Sequence, residues 1–240
     1  MARALQARGH DVTVVHDEDA YLSWYKDDFS SVFVATNPFL RIPDFPLNSH
    51  GDWIPDEVET IAKQRGAETG VSWREISEMC GFSSIARVNR ALRLTGSKRI
   101  VNELACSSDT EKMLSVCKDE HLFVPDEGCY SPLAQIAIAR FLKQLGHEEV
   151  IVADHFGTSP RQMNSKNFLL PDGFVPPEIH TQDRSVYLSI YTDCHYFLVC
   201  QSEDSVLTAN PMDYFEGFFA DEKTNDLWGV GDFSGGLNGG

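Results

Sequence analysis

Residues Trp73 to Arg93 constrain this chain more than any other stretch. They read as a helix, a glycine-centred turn and a second helix. Ile76, Cys80, Phe82, Val88 and Leu92 fall on one inward face, and Gly81 permits the left-handed residue that such a turn requires. The window is basic within an acidic chain. Between Arg74 and Arg99 six basic residues stand against two acids, while the 240 residues carry a formal net charge of -16, which leaves -20 outside the window. A helix-turn-helix with a basic second helix is the device of DNA recognition, and Arg87, Asn89, Arg90 and Arg93 would form its reading face. The same arginines would equally serve to neutralise carboxylates of their own chain. What separates the two readings is whether Arg87, Arg90 and Arg93 face open solvent or those carboxylates. The surrounding negative charge disfavours nucleic acid as a partner.

Gly81-Phe82-Ser83-Ser84, followed by a helix carrying basic residues, resembles the helix-turn-helix of the arabinose-regulator (AraC) family. The likeness covers about one tenth of the chain. Members of that family carry two such units, and no second one is visible here.

A hydrophobic content of 42%, with 11% aromatic residues, is enough to build a packed core. No apolar run approaches the roughly 20 residues of a membrane-spanning helix, and the first ten residues lack the apolar centre of a signal peptide. The expectation is a cytoplasmic protein with no membrane partner. The six cysteines include no Cys-x-x-Cys pair, so they read as reduced, small core residues.

Along the chain, residues 4–15 read as a helix end, a glycine cap and a β-branched strand, which resembles the αβ step of dinucleotide-binding and glycosyltransferase folds, where Asp17 or Glu18 would meet a ribose hydroxyl. The Gly-x-Gly-x-x-Gly loop that cradles a pyrophosphate is missing, so no cofactor is expected. A strand follows at 31–35. Residues 37–56 hold four prolines and read as an extended connection, and Pro55 and Gly66 bracket a helix over 56–65. A helical subsection over about 72–117 holds helices near 73–80, 83–94, 97–105 and 109–117, with N-caps at 72, 83, 97 and 109. Then come a short strand at 122–124 and a long helix opened by Gly128-Cys129-Tyr130-Ser131-Pro132, with apolar positions Leu133, Ile136, Ala137, Phe141 and Leu145. A strand at 149–153 follows. The clearest hairpin runs from 185–191, with Val186, Leu188 and Ile190 inward, through Thr192-Asp193 into 195–200. The fold class expected is α+β: one mixed domain over 1–232 with the helix-turn-helix-like subsection, a C-terminal antiparallel hairpin and a flexible tail at 233–240.

Three constellations carry possible chemistry. Cys129 lies near a helix start, where the dipole lowers a thiol's pKa. His155, assisted by Asp154 or Asp126, would serve as its base. His147, His155 and Asp154, or Cys194 with His195, offer metal-ligand types, but none has the spacing that sets two ligands on one helical face, so no metal is expected. Last, the aromatic and acidic stretch after Asp213 places Phe215, Glu216 and Phe218 close to Trp228, either lining a groove for a partner or closing the core.

Three segments together resemble the uncharacterised bacterial domain-of-unknown-function family 2711. They are Glu127-Gly128-Cys129-Tyr130-Ser131-Pro132, Val152-Ala153-Asp154-His155-Phe156-Gly157, and the hairpin running into Phe215-Glu216-Gly217-Phe218-Phe219. The resemblance implies a bacterial cytosolic protein, supplies no activity, cofactor or catalytic residues, and makes the basic window an internal part of the domain. The functional expectation is a cytoplasmic binding or protective (immunity-like) protein that meets an unidentified protein or small-molecule ligand through an acidic, aromatic-lined surface. The rival readings are a DNA-binding regulator and a small cysteine-dependent enzyme.

Overall fold

In a computed structural model, which describes residues 19–47, 53–96, 106–171 and 173–230, the hairpin anticipated at 185–200 is the centre of a seven-stranded antiparallel sheet. The expectations for 4–15, 97–105 and 233–240 lie outside the described residues. The sheet contains β1 (Ser31–Thr36), β5 (Glu149–Ala153), β6 (Arg161–Asn164), β7 (Glu178–Thr181), β8 (Val186–Ile190), β9 (Tyr196–Gln201) and β10 (Gly217–Phe219). Their order is β10-β1-β9-β8-β7-β5-β6, with Leu188 opposite Val199 and Val34 opposite Leu198.

Every residue of β8 and β9 is buried, not only the inward set. Val186, Leu188, Ile190, Phe197 and Val199 point into one core, while Tyr187, Tyr196, Leu198 and Cys200 point into another. The physical reason is that helices cover both faces, so alternation along a strand separates two cores rather than core from solvent.

The first core faces α6 (Pro132–Gln144). Its N-cap Ser131 accepts a hydrogen bond from the Ala134 amide at 3.2 Å, and Pro132 takes the first helical turn, where no amide hydrogen is needed. The apolar face differs from the one expected. Ala134, Ile138, Phe141 and Leu142 are buried, whereas Leu133, Ala137 and Leu145 are only partly covered. The helix is apolar over most of its circumference, so spacing alone does not rank its faces.

The second core is built by the helical subsection, together with α1 (Tyr21–Tyr25). Here α3 (Trp73–Met79) and α4 (Ile85–Leu92) meet through Gly81 at φ +58°, and Ile76, Cys80, Val88 and Leu92 are fully buried as the pattern required. A capping box starts α3: Ser72 Oγ accepts from the Glu75 amide, and the Glu75 carboxylate accepts from the Ser72 amide at 2.8 Å. The other starts shift. Ser84 rather than Ser83 precedes α4, and α5 (Ser107–Asp119) begins after Cys106, which leaves Asp109 inside its first turn and buried.

The proline-rich connection is more than a linker. It contains β2 (Phe39–Arg41), which pairs with β3 (Gly70–Val71) and β4 (Leu122–Phe123) in a three-stranded sheet. With α2 (Asp56–Arg65), this sheet encloses a third apolar cluster of Leu40, Ile42, Ile54, Val58, Ala62 and Phe123. A last helix, α7 (Glu203–Thr208), follows β9. Among the described residues no helix is long and apolar enough to cross a membrane. The fold is α+β, a mixed arrangement around a large antiparallel sheet.

Candidate functional site

The basic residues of α4 face carboxylates of their own chain. Arg87 and Arg90 both donate to Asp109 on α5, Arg87 Nε at 3.2 Å and Arg90 Nη2 at 2.6 Å. Burial pushes the Asp109 carboxyl up, but the hydrogen bonds from the two guanidiniums outweigh it and hold the group below its usual range. Arg93 is only 5% exposed; it lies 3.3 Å from Asp226 and also donates to the Asp226 carbonyl. Asn89 is buried and donates to the Trp228 carbonyl at 2.6 Å. In this arrangement the four residues tie α4 to α5 and to the C-terminal segment.

Cys129 sits two residues before the α6 N-cap, but the helix start does not activate it. The Ser131 amide is taken by Asn37 Oδ1 at 3.0 Å and the Ala134 amide by Ser131 Oγ. Burial, then the charges of Asp126 and Glu59, push the thiol up to about 11, the reverse of the lowering expected from a helix dipole. Asp154 turns into its own loop after β5, accepting from the amides of Phe156 (2.9 Å) and Thr158 (3.0 Å) and from Thr158 Oγ1 (2.6 Å). His155 stands half-buried beside it. Among the described residues no three His, Cys, Asp or Glu side chains gather as a metal site.

Of the C-terminal aromatic residues, Phe215 and Trp228 are buried, Tyr214 and Phe218 are half-buried and Phe219 is exposed. Phe215 meets Phe141 and Phe197 edge-on at 5.5 and 5.4 Å, while Trp228 stacks on Trp73 at 6.1 Å and receives the edge of the half-buried Phe218 at 5.0 Å. Glu216 has a structural partner set: its carboxylate accepts from the amides of Trp73 (2.7 Å) and Arg74 (2.9 Å) and from Thr36 Oγ1 (3.0 Å). An anion over the first amides of α3 satisfies donors that the helix itself cannot. Glu216→Ala is therefore expected to cost about 1–2 kcal/mol in urea unfolding, with no change of fold by circular dichroism.

A cavity lies elsewhere, where the small sheet meets the helical subsection. It has a volume of about 900 Å³ and is framed by the chain around Leu47, the start of α2, the segment just after α4, the last turns of α5, β4 and the segment Pro125–Glu127. Its walls are mainly apolar, among them Ile54, Leu94, Leu122 and Val124, and Trp53 stands at its edge 66% exposed. Its polar groups are Asp126, Glu127 and His195, with Lys118 on the exposed rim.

His195, at the turn into β9, is 3% exposed. Its Nδ1 lies 2.8 Å from the Pro125 carbonyl, which can only accept, so Nδ1 carries the proton. Burial lowers the pKa of the ring, outweighing the Pro125 and Leu92 carbonyls and the Glu127 carboxylate, which favour protonation. The ring is thus neutral with its proton on Nδ1, and Nε2 is buried with no donor to it among the described residues. Such an atom is costly to bury unless something else satisfies it.

Asp126 accepts from the Ile54 amide at 3.0 and 3.2 Å on its two oxygens, and burial pushes its pKa up to about 6. Gly128 holds this segment to the β8–β9 turn. Its amide donates to the Cys194 carbonyl at 2.9 Å, φ is +72°, and a side-chain carbon there would come within 2.8 Å of the Thr192 carbonyl oxygen. Asp126 and His195 are the polar residues that sequence reasoning ranked low, one as an alternative helper and one as an unsupported metal ligand. Nothing in their local sequence marks them, because their shared pocket is assembled from segments far apart in the chain.

The raised pKa of Asp126 has a consequence for stability. Between pH 4 and 6 the folded chain keeps a proton that the unfolded chain has released, so this group makes stability fall as pH rises through that window. Asp126→Asn keeps an acceptor for the Ile54 amide and removes the charge. It is expected to stabilise the protein by about 1–3 kcal/mol at pH 7.5 and by almost nothing at pH 4, measured by urea unfolding at both values.

No curated protein and no solved structure matches the chain. A family model described as "Protein of unknown function (DUF2711)" matches residues 17–230, a span that includes both sheets, all three apolar clusters and the pocket, and the chain belongs to that family.

Proposed function

We propose that this is a binding protein whose pocket takes a small, largely apolar molecule. The observation that carries the reading is a cavity of about 900 Å³ whose mainly apolar walls include a few polar residues, Asp126, Glu127 and His195. Small-molecule sites have this size and this composition, apolar walls with a few convergent polar groups. The destabilising charge of Asp126 supports it, since binding sites keep groups that folding alone would not favour. The pairing of Arg87 and Arg90 with Asp109, and of Arg93 with Asp226, supports treating the helical subsection as the pocket's frame, because the chain leaving α4 forms part of its wall.

Nile red, a neutral apolar dye, tests this on the full chain. Saturable binding with a blue-shifted emission is expected, and Trp53→Ala together with Leu114→Asp should weaken it about tenfold by removing apolar contact at the mouth. Dye binding that is absent, or that ignores both substitutions, overturns the reading.

A further inference from the structure

Resting on that reading, we infer that a proton controls the pocket: it holds an uncharged apolar molecule while the Asp126 carboxyl is protonated, and loosens its hold as that carboxyl ionises. Affinity for such a molecule therefore falls as pH rises. Asp126 lines the cavity among apolar residues and is itself only half-buried, so part of its surface stays open. Among the described residues its carboxyl accepts from one donor, the Ile54 amide, which spans both oxygens at 3.0 and 3.2 Å. An ionised carboxylate offers about four acceptor positions, and those that the amide does not fill are left to solvent. An apolar molecule in the cavity displaces that solvent and returns no hydrogen bond. The ionised form loses much more by this than the protonated form does.

The groups around Asp126 set where this happens. Its own segment carries Glu127 and Cys129. Glu59 faces it from α2, with Asp56 and Lys63 near Glu59, while α5 brings Lys118 to the exposed rim. His195 lines the cavity from the start of β9, within reach of the charges of Glu127 and Arg93. Burial and the charges of Asp126 and Glu59 keep the Cys129 thiol protonated up to about 11. Burial, then the charge of Asp126, raises the Glu59 carboxyl, so ionising Asp126 places a second negative charge close to the first. The Asp126 carboxyl itself is driven up by burial and pulled back by the Ile54 amide, to about 6. A molecule that covers it further raises that value again. Binding then takes up a proton, and linkage makes the affinity fall as pH rises above about 6. His195 would give a dependence of its own, one that survives replacement of Asp126.

Nile red, uncharged and without a hydrogen-bond donor, reads the effect on the full chain. Its Kd is expected to rise about five- to tenfold from pH 5.5 to pH 8, the result of making Asp126 about tenfold easier to protonate in the complex. Asp126→Asn keeps an acceptor for the Ile54 amide and cannot ionise. Its Kd is expected to change by less than about twofold over the same range and to stay near the native value at pH 5.5. This variant is expected to be the more stable protein, so a flat profile would not reflect unfolding. Glu59→Gln removes the neighbouring acid, leaves Asp126 in place and should retain the rise. A native Kd that ignores pH, one that falls as pH rises, or a rise as large in Asp126→Asn as in the native chain would each overturn the proton control while leaving a pocket that binds the dye. Loss of the rise in Glu59→Gln would overturn its assignment to Asp126. Failure of Nile red to bind at either pH would remove the underlying reading, and the inference with it.

Discussion

Arg93→Leu is expected to lower the stability of the protein by about 3–5 kcal/mol at pH 7, the largest effect of any single polar substitution considered. The reason lies in what the guanidinium leaves behind. Arg93 and Asp226 are both buried, and the Asp226 carboxylate also accepts from Tyr196 Oη at 2.7 Å, which in turn shares a hydrogen bond with Tyr21 at 2.8 Å. Burial drives the Asp226 carboxyl up. The charge of Arg93, together with the hydrogen bonds from Tyr196 and Arg93, outweighs it and keeps the group below its usual range. Its contribution in the native protein is therefore present above pH 4 and lost as pH falls toward the depressed value. Without Arg93 the balance reverses. Burial then dominates and the carboxyl protonates in the folded state, so the variant should lose stability as pH rises. The penalty measured by urea unfolding should accordingly shrink between pH 7 and pH 4. A penalty below 1 kcal/mol at pH 7, or one that does not change with pH, would show that the pair contributes little.

Trp73→Ala is expected to cost a comparable amount, about 3–5 kcal/mol, for a different reason. The side chain is fully buried and stacks on Trp228, so its removal opens a large cavity in the core shared by the helical subsection and the main sheet. It also removes the 2.6 Å hydrogen bond from the indole nitrogen to the Asn37 carbonyl. Asn37 is fully buried, and its side chain ties down the chain before α6, donating to the Cys129 carbonyl at 2.9 Å and accepting from the Ser131 amide. Trp73→Phe separates the two contributions. It keeps much of the packing while leaving the Asn37 carbonyl without its donor, and about 1–3 kcal/mol is expected. Near-neutral behaviour of both variants in thermal or urea unfolding would contradict the account of this core.

Some elements were legible in the sequence because their signals are local. The helix over Asp56–Arg65 matches its expected limits, since Pro55 and Gly66 punctuate it directly. The strand Glu149–Ala153 and the turn through Gly81 belong to the same class. The resemblance to domain-of-unknown-function family 2711, carried by three short segments, agrees with the match over 17–230. Other elements were not legible. Strands β2 and β3 are three and two residues long, too short to show alternation, and exist because β2 pairs across the chain with β3 and with the strand expected at 122–124. The pocket is the extreme case: Asp126 and His195 both line it because long-range hydrogen bonds, Gly128 to Cys194 and His195 to Pro125, hold their two segments together.

The sequence by itself determined the helix–turn–helix from Ser72 to Leu92, its inward residues and the central hairpin, because apolar periodicity and capping act over neighbouring residues. Only the tertiary structure decided what the arginines of that motif meet. Whether an arginine meets solvent or a carboxylate depends on Asp109, 22 and 19 residues beyond Arg87 and Arg90, and on Asp226, 133 residues beyond Arg93, each brought to its partner by packing of the cores. Charge along a sequence states how many such pairs are possible, and the fold selects which of them form.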